Sequence, residues 1–154
     1  MGKGKGGGNI KGGKRQPSYF DNKRQQLGDN FLSRMNPDQL RKDMPRIVKD
    51  IAYRNVDVMK DYMIFMDANF LAQLEQHCLE QRNNHIAYEM ALGAYRQNSQ
   101  VQNDPVYVDL HQRHTKMRCA YDKILSYIYS IRMTGDPNYL YPMMNDLFPI
   151  RFLF

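Results

Sequence analysis

The sequence predicts an all-α protein, a small helical bundle built on two long helices at about 57–97 and 105–133. Three observations carry this. Apolar residues recur at spacings of three and four through both stretches, which stacks them on one helical face. Helix-start signals, Asn36-Pro37 and Asp104-Pro105, and a stop at Gly135 punctuate the chain. No segment alternates apolar and polar residues at period two for long enough to make a strand.

The stretch from Asp57 to Arg82 holds neither Gly nor Pro, and Met59, Met63, Met66, Phe70, Leu74 and His77 form its stripe. Arg82-Asn83-Asn84-His85 is its weakest point, because Asn is a poor helix former. The pattern resumes at Ile86, Tyr88, Leu92 and Tyr95, so the helix runs on to 97, kinked near 83–85, or restarts there. The second long helix shows a heptad-like stripe: Leu110, His114, Met117, Tyr121, Ile124, Ile128 and Ile131. Upstream, Asn36 reads as an N-cap with Pro37 at N1 and Gln39 at N3. Pro45 then splits that region into two short helices, about 37–43 and 45–54. The chain divides into a basic arm (1–16), a transition (17–35) in which Tyr19 and Phe20 anchor the arm, a helical domain (36–137) and an apolar tail (138–154).

Charge is concentrated at one end. Lys3, Lys5, Lys11, Lys14, Arg15, Lys23 and Arg24 face only Asp21 within residues 1–24, which accounts for the whole net charge of +6. The remaining residues hold fifteen bases and fifteen acids. Residues 1–16, MGKGKGGGNIKGGKRQ, contain seven of the ten glycines and almost no apolar side chain. Such a segment cannot bury enough surface to offset its backbone entropy, so it is expected to be disordered on its own. Its composition resembles the Gly-Lys tails of core histones and the basic extensions of some ribosomal proteins. That resemblance implies contact with nucleic acid, and it stops at residue 16, since no histone-fold pattern follows. Those seven basic residues are the expected nucleic-acid-binding set, drawing affinity from counterion release at phosphates.

The tail, NYLYPMMNDLFPIRFLF, carries eleven large apolar side chains in seventeen residues. Pro142 and Pro149 prevent a long helix. An apolar surface of that size usually marks an interaction site. Tyr139, Tyr141, Leu147, Phe148, Phe152, Leu153 and Phe154 are therefore the expected partner-binding residues. The alternative is a tail folded back over its own bundle.

Catalytic and metal chemistry find no support. A zinc site needs about four converging ligands. The four histidines and two cysteines form no CxxC, no HxxxH and no Glu-x-x-His pair. His114 fits the apolar stripe, which suits a hydrogen-bonded core histidine. The glycine-rich arm lacks a phosphate-loop pattern, and no nucleophile elbow appears. No catalytic residue, metal or cofactor is expected. Cys78 and Cys119 read as small apolar helix residues in a reducing compartment. No signal peptide and no membrane span are read, so the expected location is a virion or the cell interior.

Two functions fit these parts. The first is a structural component of a large assembly, such as a head or head-tail connector protein of a phage virion. Its arm would touch nucleic acid or a neighbouring subunit, and its tail would dock on another subunit, a second copy among the options. The second is a free nucleic-acid-binding protein of chromatin-like or regulatory type, or a ribosome-like particle protein, acting through the arm.

Overall fold

The structure, a computed structural model, describes residues 17–52, 63–97, 100–140 and 142–143. Helices make up its regular structure: α1 (Tyr19–Leu27), α2 (Phe31–Arg34), α3 (Pro37–Ala52), α4 (Ala68–Gln97) and α5 (Pro105–Thr134), then a 3-10 turn at Pro137–Tyr139. The all-α bundle on two long helices stands as expected from the pattern.

Every helix start except that of α2 is fixed by a side chain that accepts from an otherwise orphaned backbone N–H. Ser18 and Asp21 form a reciprocal capping box that begins α1. The Gln39 N–H donates to Asn36 Oδ1 at 2.7 Å. The Phe70 N–H donates to Asp67 Oδ1 at 3.0 Å, and the Val106 N–H to Asp104 Oδ1 at 2.9 Å. Gly135 ends α5 at φ 67°, in the left-handed region, with its N–H donating to the Ile131 carbonyl.

Two boundaries differ from the sequence reading, and one alternative it left open is decided. The first long helix begins at Ala68, because the chain turns at Met66 and Asp67 caps a new start. Met63 is consequently exposed rather than part of the buried stripe, and Met59 with the rest of 53–62 lies outside the described residues. No break falls near 83–85: α4 is continuous through Asn83 and Asn84. The helix penalty of two Asn residues is about 1 kcal/mol in total. Contacts to α5 on either side, Arg82 to Asp122 and His85 to His114, hold the segment in place. Pro45 lies inside one helix rather than between two. It is exposed, while Leu40, Met44, Ile47, Val48 and Ile51 are buried on the opposite side. Burying each of those side chains contributes about 1.5–3 kcal/mol, which together exceeds the cost of about 3 kcal/mol for an interior proline.

The core sits at one end of the two long helices. Phe20, Phe31, Phe65 and Phe70 meet there, with ring centroids 5.4–6.3 Å apart. Tyr19 ties α1 to α3: its backbone N–H donates to Asp50 Oδ2 at 2.9 Å and its hydroxyl to Asp43. So Tyr19 and Phe20 belong to a capped helix inside the body rather than to a loose transition. From α5 come Met117, Tyr121, Ile124, Ile128 and Ile131, and beyond the turn Leu140 and Met143 are also buried.

Helix lengths set what happens next. At 1.5 Å per residue, α3 is about 24 Å long, whereas α4 and α5 are each about 45 Å. The short helices cover only the proximal part of the pair. Burial stops at Cys78 on α4 and begins at Met117 on α5. Past those points α4 runs on for about 28 Å and α5 for about 18 Å, and their far ends, from residue 85 on α4 and up to residue 114 on α5, form an antiparallel hairpin arm of about 20 Å.

Candidate functional site: the hairpin arm

The arm consists of residues 85–97 and 105–114, and its two seams differ in character. One seam is a ladder of polar bridges. Glu75, Arg82, Glu89 and Arg96 recur every seven residues along α4. They reach Arg132, Asp122, Arg118 and His111 of α5, respectively. Arg118 and the Thr115 hydroxyl both donate to the Glu89 carboxylate. Burial pushes Glu89 towards protonation, but these donors outweigh it and hold the carboxyl below its usual range. Arg96 closes the tip by donating to the Gln102 carbonyl at 2.9 Å and 3.0 Å. It also donates to His111 Nδ1 at 3.0 Å, which makes that nitrogen an acceptor.

The opposite seam is aromatic. His85 Nδ1 and His114 Nδ1 are 2.9 Å apart, so one carries the proton and the other accepts it. Tyr88 stacks on His114 at 4.7 Å, and Tyr121 on His85 at 6.0 Å. Tyr95 meets Tyr107 edge-on at 5.4 Å. All four histidines of the chain lie on the α4–α5 interface. His77 is pushed towards the neutral form by burial, against a weaker pull from Glu80. His85 is pushed the same way by burial and by His114, against Glu89.

On the face shared with the core, an apolar stripe runs out along the arm. Tyr88 lies eighteen residues after Phe70, and Val106 and Leu110 lie eighteen before Ile124 and Ile128. Eighteen residues make about five whole turns, so each pair shares one face of its helix. Phe70, Ile124 and Ile128 are fully buried. Tyr88, Tyr95, Val106 and Leu110 are 56%, 48%, 70% and 40% exposed. Leu110 therefore leaves the buried stripe expected of it, and His114 is half-buried with a histidine partner.

The expected nucleic-acid residues Lys3, Lys5, Lys11, Lys14 and Arg15 lie outside the described residues. Lys23 and Arg24 are placed on α1, apart from any arm. Lys23 Nζ lies 5.5 Å from the Tyr19 ring, and Arg24 pairs with Asp21 and lies over Phe31. Of the expected partner-binding residues, Tyr139 packs partly against the core, while Tyr141, Leu147, Phe148, Phe152, Leu153 and Phe154 lie outside the described residues. Leu140 and Met143 close the core, so the front of the tail belongs to this chain's own fold.

Among the described residues, no cluster of three or more His, Cys, Asp or Glu is arranged to hold a metal ion. Cys78 is buried, and its thiol is pushed up to about 12 by burial and then by Glu75. Cys119, expected inside, is exposed. A shallow cleft of about 230 Å³ is lined by Asp29, Asn30, Ser33, Met63 and Asp67, among others. Asp67 already serves there as the cap of α4. No described helix is long and apolar enough to cross a membrane. Comparison of the chain with family models, curated proteins and solved structures finds no match.

Proposed function

We propose that this protein is a non-enzymatic structural component of a large assembly, of the kind that builds a virion head or head-tail connector. The observation that carries this reading is the division of labour along the chain. A neutral body projects an arm with an open apolar face, while the whole net charge of +6 lies within residues 1–24. That layout supports a reading in which protein and nucleic acid are contacted by different parts. Glu89 serves as an acceptor for Arg118 and Thr115, and Cys78 is kept protonated by burial, which suits structural roles for both. In this role residues 1–16 lie against nucleic acid or an acidic neighbour, and the body fixes spacing between subunits.

The test is deletion of residues 2–16 from the full chain, with duplex DNA affinity followed against salt. The segment holds five basic residues, so log K should fall with log salt at a slope of roughly −4 to −5. The deletion should abolish that slope and leave melting unchanged. Undiminished DNA binding by the deleted protein would refute the assignment.

A further inference from the structure

The arm's apolar stripe has the geometry of a docking groove. Folded on itself, the chain leaves Tyr88, Tyr95, Val106 and Leu110 open to solvent. In the body the same face of α4 packs against α3 and the Phe20 ring of α1, and the same face of α5 is buried at Ile124 and Ile128, so the stripe continues a core face past the end of its cover.

Two quantities narrow the occupant. The arm is about 20 Å long and two helices wide, so its face offers about 400 Å², since packed helices sit about 10 Å apart. A stable interface buries about 800 Å² per partner, which arm-to-arm packing alone does not supply. A narrow groove between two helices instead suits an extended segment. Residues 144–154, MNDLFPIRFLF, have the matching pattern. Laid out as a strand, Phe148, Ile150, Phe152 and Phe154 share one face, because side chains alternate. From Phe148 to Phe154 such a strand runs about 20 Å, the length of the arm. Residues 25–154 carry fifteen bases and fifteen acids, so the bodies of two copies meet without net repulsion between them.

We propose that residues 144–154 of one copy lie along the Tyr88, Tyr95, Val106 and Leu110 stripe of a second copy. The proposal rests on the assembly reading and names its first partner, a second copy of this chain. Two such contacts exchanged reciprocally close a dimer, and an unreciprocated contact propagates into a larger array.

The test uses the full chain and two substitutions, Leu110→Asp in the groove and Phe152→Asp in the tail. Mass is read by sedimentation without nucleic acid, with helical circular dichroism and melting as controls. The wild type should self-associate. Each variant alone should be weakened by roughly tenfold or more, as expected for loss of a central anchor, with its melting unchanged. Mixing the two variants should restore association, since one contributes an intact groove and the other an intact tail. A mixture that stays monomeric overturns the proposal, and so does a Phe152→Asp protein that associates as well as the wild type, which is what arm-to-arm packing gives. A wild type that is monomeric without nucleic acid also overturns it. The assembly reading then still faces its own test, which is scored on DNA binding by the 2–16 deletion.

Discussion

Replacing Phe70 and Tyr88 separately by Ala tests the division of one helix into a packed base and a projecting arm. Both residues lie on the same face of α4, about five turns apart. Phe70 is fully buried, with its ring 5.4 Å from Phe65 and 5.7 Å from Phe20. Removing it forfeits the transfer energy of the ring and leaves a cavity that neighbours fill only in part, costing about 3–5 kcal/mol. That is a large share of the 5–15 kcal/mol that holds a typical domain. Tyr88 is 56% exposed and keeps one stacking contact, to His114. Its loss should cost at most about 1 kcal/mol, the scale of one aromatic pair. The assay is urea unfolding followed by circular dichroism at low protein concentration, with midpoints compared at constant slope. The reasoning fails if the two substitutions cost the same, because burial along α4 would then not end where the short helices end.

Acidification should destabilise the fold before carboxylates titrate. His77 and His85 are both held below the ordinary histidine value, chiefly by burial. The unfolded chain therefore binds more protons, so their contribution is complete above about pH 6.5 and is lost as pH falls towards their lowered values. Urea midpoints should drop between about pH 7.5 and pH 5, and His77→Gln should flatten that drop; equal midpoints would contradict it. Leu140→Ala and Met143→Ala should each cost about 2–5 kcal/mol by the cavity argument, read by thermal melting. A protein ended at Asn138 should accordingly melt early, and unchanged melting would return the whole tail to partner binding. Asp67→Ala should cost about 1 kcal/mol by removing the acceptor for the Phe70 N–H, and Asp67→Asn should recover most of it.

The second long helix was legible because its punctuation is local. Asp104, Pro105 and Gly135 act within one turn of themselves, and the observed span Pro105–Thr134 follows them closely. Asn36-Pro37 was readable for the same reason. What the pattern misjudged or left open depends on tertiary context. Pro45 breaks a helix in isolation, but here five buried side chains hold its helix together. Asn83 and Asn84 weaken a lone helix, yet α5 lies alongside and grips both flanks. Asp67 was not read as an N-cap, because Met59, Met63 and Met66 before it continue the spacing of Phe70 and Leu74 and conceal the start. The exposed stripe was the hardest to see. Periodicity assigns Leu110 and Ile124 to the same face, and nothing within α5 says that only one of them is covered. The signal available was arithmetic: α4 and α5 have thirty residues each, and the longest covering helix, α3, has sixteen.

The most direct test of the assembly account is the mass of the full chain in solution, measured with and without duplex DNA at low and at moderate salt. The account predicts self-association without DNA that persists at moderate salt, because the contact is apolar. It also predicts further growth on DNA that moderate salt reverses, because that contact is made by lysine and arginine. A protein that remains a monomer under all four conditions would contradict it.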